Sequence, residues 1–177
     1  MSESPEVDAR IATVGGYLGA AACAFFFVAF LFAFFYLRAL NTNDLWAAGQ
    51  RHHHVHAALT VGIIVLVCVL ASVALSRLAL VERRAGWAAL VLGLVAVGVQ
   101  CWQYTDLGFG PGDGGYASVY LGWTGFFTIF VFGAMIWLET LLVGVRRTAA
   151  ELGAFTLVWT TLGVVEIVAF ILLYGVK

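Results

Sequence analysis

Apolar residues along this chain fall into five long runs, separated by four short polar breaks. The runs extend from about Ile11 to Leu37, Ala57 to Ser76, Trp87 to Tyr104, Ala117 to Val145, and Leu152 to Val176. A hydrocarbon core of about 30 Å takes about 20 apolar residues as a helix, so each run predicts one membrane span. The breaks differ in character. "RALNTNDLWAAGQRHH" is polar, "RLALVERR" carries three arginines, "TDLGFGPGDGG" is rich in glycine and "RRTAAE" is a short charged turn. The pattern predicts an all-α polytopic membrane protein. A polar tail over residues 1–10 precedes a single five-helix transmembrane bundle over residues 11–177, with no soluble domain.

Composition supports that reading. The chain is 63% hydrophobic and 11% charged, more apolar surface than a soluble domain of 177 residues can bury. A net charge of -1 supplies no basic surface for nucleic acid. Cys23, Cys68 and Cys101 sit in three different runs, so there is no disulfide framework and no CxxC motif. The opening "MSESPEVDAR" lacks the basic start of a signal peptide, so the first run is expected to be a retained span. Arg10, Arg77, Arg83, Arg84, Arg146 and Arg147 share one side of a five-span topology, against Arg38, Arg51 and Lys177 on the other. Six against three predicts a cytoplasmic N-terminus, with the first and third breaks facing outward.

The chemistry available to such a bundle is narrow. All four histidines, His52, His53, His54 and His56, lie in the first break and none lies in a span. Their spacing would let two share a helix face and meet zinc or copper. The nearest acid is Asp44, so a solvated cap at the membrane surface is the preferred reading. Without histidines in the spans, the chain is expected to ligate neither haem nor a redox metal. "GFGPGDGGY" lacks the lysine and following Ser/Thr of a nucleotide loop, so its glycines predict a tight turn into the next helix. In the first run Gly15, Gly16, Gly19, Ala20, Ala21 and Ala22 suit close helix contact, and the phenylalanines beyond them suit packing and lipid. Two acids fall in apolar runs. Glu139 is placed to snorkel to the cytoplasmic surface, whereas Glu166 sits near mid-membrane. For Glu166 a hydrogen-bonded place in a helix interface competes with a lipid-headgroup, proton or partner contact.

Four stretches in order resemble the haem–copper cytochrome c oxidase subunit III family, in its short five-helix form. "GGYLGAAACAFFFVAFLFAFFYLR" is similar to the family's Phe-rich helix ending in arginine. "QCWQY" is similar to its Q-x-x-E-Y, with Gln100 and Tyr104 matching and Gln103 in place of the acid. "YLGWTGFFTIFVFGAMIWLE" resembles its T-G-F-H-G-L-H-V stretch through Thr124, Gly125, Phe126 and Val131. "WTTLGVVEIVAFILLY" resembles its closing helix, with Trp159, Phe170 and Tyr174 in place. The chain departs from the pattern where the family has acids and histidines. The glutamate of the first of these helices falls at Cys23, two histidines fall at Phe127 and Phe130, and the last helix's histidine and aspartate fall at Thr160 and Gly163. Glu166 stands where the family has a second tryptophan.

The resemblance implies a non-catalytic subunit of a bacterial plasma-membrane oxidase that oxidises cytochrome c or quinol, reduces oxygen to water and pumps protons. It implies no catalytic, metal or cofactor residue in this chain, with haem and copper held by subunit I. Expected partners are subunit I, other oxidase subunits and membrane phospholipids, and no nucleic acid. Tyr17, Gln100, Tyr104, Thr124, Gly125, Trp159 and Glu166 are the candidate lipid or subunit-interface positions. Two alternatives stand beside it: an accessory subunit of a nitric oxide reductase of the same superfamily, and a small carrier or channel working through Glu166. A carrier is expected to show repeats or broken helices, and the sequence offers no convincing repeat.

Overall fold

A computed structural model describes residues 5–41, 46, 62–64, 80–144 and 148–176. Among the described residues all regular structure is helical. The helices are α1 (Pro5–Ala39), α2 (Leu80–Thr105), α3 (Gly115–Val143) and α4 (Ala149–Phe170), and α4 runs on into a π-helical turn over Ile171–Gly175. All four are long and apolar enough to cross a membrane. The expected span over 57–76 lies outside the described residues except for Gly62–Ile64, which are helical, with Ile64 buried.

The helix ends differ from the apolar runs for local reasons. Residues 5–10, expected as tail, are already helical. Pro5 at the first position forfeits no hydrogen bond, and Glu6 and Asp8 in the first turn complement the helix dipole. The Arg10–Glu6 pair at 2.9 Å is highly exposed and adds little. The 35 residues of α1 span about 52 Å, more than a hydrocarbon core, so its polar first turns continue beyond the bilayer. The second half of "RLALVERR" likewise belongs to α2. In "RRTAAE", Thr148 caps α4: its side chain accepts from Glu151 N at 3.2 Å, and the Glu151 carboxylate accepts from Thr148 N at 2.9 Å. That reciprocal box starts α4 at Ala149. Gly114 enters α3 at φ 124, a conformation that a side chain would strain, so the glycine-rich break forms the expected turn.

Contacts fix the direction of each helix. Gly16 lies against Ala154 and Gly19 against Val158, so α1 and α4 run parallel. Leu37 meets Gly115 and Phe30 meets Gly122, so α3 runs opposite to α1. Tyr104 meets Thr124 while Gly93 meets Met135, so α2 runs opposite to α3. α1, α2 and α4 therefore point one way and α3 the other. α3 is central, touching each of the other three, and α1 makes its most extensive contact with α4.

One stripe of α1 faces inward: Gly16, Ala20, Cys23, Phe27 and Phe34, spaced by helical turns. The aromatic half of α1 is thus divided between core and surface. Phe27 and Phe34 are fully buried while Phe25 is 77% exposed. Phe26, Phe27 and Phe30 interlock with Trp123, Phe126, Phe127 and Phe130 of α3, with ring centroids 5.2–6.2 Å apart. Large apolar side chains also cover the outside of every helix, as a chain solvated by lipid requires.

Candidate functional site

On α3, Tyr116, Tyr120, Thr124 and Thr128 recur every four residues and form a polar stripe in a largely apolar helix. The threonines satisfy their hydroxyls within the helix. Thr124 donates to Tyr120 O at 2.7 Å and Thr128 donates to Thr124 O at 2.8 Å. Thr124 keeps lone pairs to accept with, and Tyr104 of α2 donates to its Oγ1 at 2.9 Å. On the other flank, Tyr120 and Tyr174 share a hydroxyl–hydroxyl hydrogen bond of 2.8 Å. Tyr116 donates to Leu173 O at 2.9 Å, capping one of the carbonyls that the end of the last helix leaves open. The stripe therefore ties α2 and α4 to α3 near the end of the bundle that carries residues 106–114.

Gln100, 8% exposed, lies against the Tyr104 and Tyr120 hydroxyls. Its Nε2 is buried without a hydrogen-bond partner among the described residues. The side chain also borders a narrow gap with room for about one water, lined by Ile64, Ala96, Phe127, Thr128 and Val131. Gly125 sits beneath Tyr104, where a Cβ would stand 3.9 Å from the hydroxyl. Four of the expected positions, Gln100, Tyr104, Thr124 and Gly125, are thus brought together at one contact between α2 and α3.

The remaining three are elsewhere. Glu166 of α4 is 8% exposed, and no hydrogen bond or ion pair reaches its carboxyl from the described residues. Trp159, two turns earlier on α4, is inside the bundle, stacked on Phe155 at 5.8 Å and 11°. Tyr17 stands apart on the outer surface of α1, 65% exposed. Glu139 is exposed close to the end of α3, where its side chain can leave the hydrocarbon. Among the described residues no group of three His, Cys, Asp or Glu side chains could hold a metal ion, and the four histidines lie outside those residues.

The positions where the resemblance has histidines, Phe127 and Phe130, pack on Phe27 with ring centroids 6.1 and 5.4 Å apart. Aromatic packing with α1 occupies what a polar pair would otherwise require. Tyr116, Tyr120, Thr128 and Tyr174 were not among the expected site residues. For Tyr116, Tyr120 and Thr128 the signal was the four-residue polar period at the start of the fourth apolar run, and Tyr174 belongs to the fifth.

A seam of hydroxyls buried among spans can orient a polar headgroup or pass a proton, because each hydroxyl both donates and accepts. The fold and the site together define a multi-pass helical membrane protein with an internal polar seam and a buried acid. No family model and no curated protein matches the chain.

Proposed function

We propose that this chain is the short, five-helix form of subunit III of a bacterial haem–copper terminal oxidase. It packs beside the catalytic subunit, holds phospholipid and sustains turnover, while subunit I carries haem and copper. The observation behind this reading is the meeting of Gln100 and Tyr104 with Thr124 and Gly125. These residues come from two separate stretches of the family pattern, and Tyr104 bonds to Thr124 at 2.9 Å. A five-span count has support of its own. α1 and α2 run parallel, so the chain has to return from one end of the bundle to the other between residues 40 and 79. The apolar run over 57–76 has the length for that crossing. With the basic residues weighted six to three, we place the N-terminus in the cytoplasm of a bacterial inner membrane.

The test is purification of the native complex through a tag on this chain. A larger subunit carrying haem is expected to co-purify, to keep its haem when this chain is stripped away, and to turn over dioxygen. Turnover of nitric oxide instead would select the nitric oxide reductase accessory reading. Recovery without any haem protein would overturn both and leave the carrier reading, which rests on the burial of Glu166.

A further inference from the structure

The gap between α2 and α3 has a mostly apolar wall with two polar groups in it. Ile64, Ala96, Phe127 and Val131 supply apolar surface, Gln100 an amide and Thr128 a hydroxyl. The two polar groups have complementary needs. Thr128 gives its hydrogen to Thr124 O at 2.8 Å, which leaves its oxygen able only to accept. Gln100 is 8% exposed, and its Nε2 hydrogens find no acceptor among the described residues, Thr128 included. A buried donor without an acceptor is costly, and more so in a span surrounded by lipid.

Helix register places the two groups opposite each other. Tyr104 donates directly to Thr124 at 2.9 Å. Gln100 is one turn before Tyr104 on α2, and Thr128 is one turn after Thr124 on α3, which runs the other way. The second pair therefore repeats the first one turn deeper, with a gap where the first pair has a hydrogen bond. That gap has room for about one water. An acyl-chain methyl in it would leave Nε2 unpaired, whereas a water can accept from the amide and donate to the hydroxyl.

We propose that Gln100 and Thr128 hold a single internal water that accepts from Gln100 Nε2 and donates to Thr128 Oγ1. Two partners lie within the range of about two to four that buried waters have. α2 is then tied to α3 twice, directly at Tyr104 and through water at Gln100. Ile64 closes the same site, so the second apolar run meets α2 and α3 at this water. Gln100 becomes a ligand inside the bundle rather than a contact for external lipid. The site uses only residues of this chain and does not depend on the oxidase reading.

The experiment is solid-state magnetic resonance of the full chain in phospholipid vesicles, with side-chain nitrogen-labelled glutamine. The Gln100 signal is assigned by its loss in Gln100→Met. Magnetisation started on water protons is expected to reach Gln100 Nε2 far more strongly than the backbone amide of Ala89, which is fully buried on the same helix. In Thr128→Val, which keeps the shape and removes one partner, the residence time of the water at Nε2 should shorten by on the order of fivefold, the factor that one typical hydrogen bond carries. Transfer to Nε2 no stronger than to Ala89 would overturn the water site. Transfer from lipid acyl protons, or from a side chain of residues 57–76, in place of water would also overturn it. A residence time unchanged in Thr128→Val would overturn the bridge to α3.

Discussion

Tyr104 donates to Thr124 where no bulk water competes, but hydrogen bonds between membrane helices are still modest. Tyr104→Phe is expected to cost about 0.5–1.5 kcal/mol of unfolding free energy, measured by denaturant titration in mixed micelles. Thr124→Val should cost a similar amount. The double variant should cost less than the sum of the two, because both remove the same bond. At this scale Gln100, Tyr104, Thr124 and Gly125, singled out from separate stretches of the sequence, meet at one contact. Glu166 stands out in the sequence as an acid in an apolar run, and the structure buries it. The tyrosine–threonine stripe was not legible, because Tyr and Thr are common within apolar runs. Their polarity becomes informative only when helical register aligns Tyr116, Tyr120, Thr124 and Thr128 toward the same neighbours. Glu166→Gln keeps the size of the side chain and removes its charge. It should leave thermal stability in micelles within about 1 kcal/mol, since no hydrogen bond or ion pair is lost among the described residues.

Among the helices, the contact of α1 with α4 is set by an absent side chain. A Cβ at Gly16 would stand 2.6 Å from Ala154 Cβ and 2.7 Å from its Cα, so the two backbones touch. Gly16→Leu is expected to destabilise the bundle by about 1–3 kcal/mol in a steric-trapping or denaturant assay, with partial rescue by Ala154→Gly. Gly15→Leu, one position round the helix and with nothing within 4 Å, should be close to neutral. The sequence contained both glycines but not the choice between them. A run of small residues shows that a helix can approach closely, and only the partner decides which face does so. The ends of α3 and α4 were legible to within about three residues, whereas α1 and α2 begin well before their apolar runs. Apolar runs end where polar residues begin, whereas α1 and α2 extend through Glu, Arg and Leu, which favour helix wherever they are solvated. The phenylalanines of α1 also had to await a partner. Phe27 and Phe34 differ from Phe25 and Phe32 only in register.

For the whole molecule, parallel α1 and α2 turn span counting into a question of parity. Single cysteines introduced at Asp113 and Thr148, in a background lacking the three native ones, should react with an impermeant maleimide from opposite faces of the membrane. Labelling of both from one face would break the topology, since α3 alone separates them. The same arrangement bears on assembly. A close backbone contact joins Gly16 to Ala154, so α1 docks against a helix that leaves the ribosome well after it. At about 5–20 residues per second the interval is on the order of ten seconds. Through that interval the small-residue face of α1 is open to lipid or to whatever chaperones nascent spans. A chain truncated after α3 would leave that face uncovered permanently. Quality control that recognises unpaired glycine-lined helices would therefore read the arrival of α4 as the signal that α1 is paired.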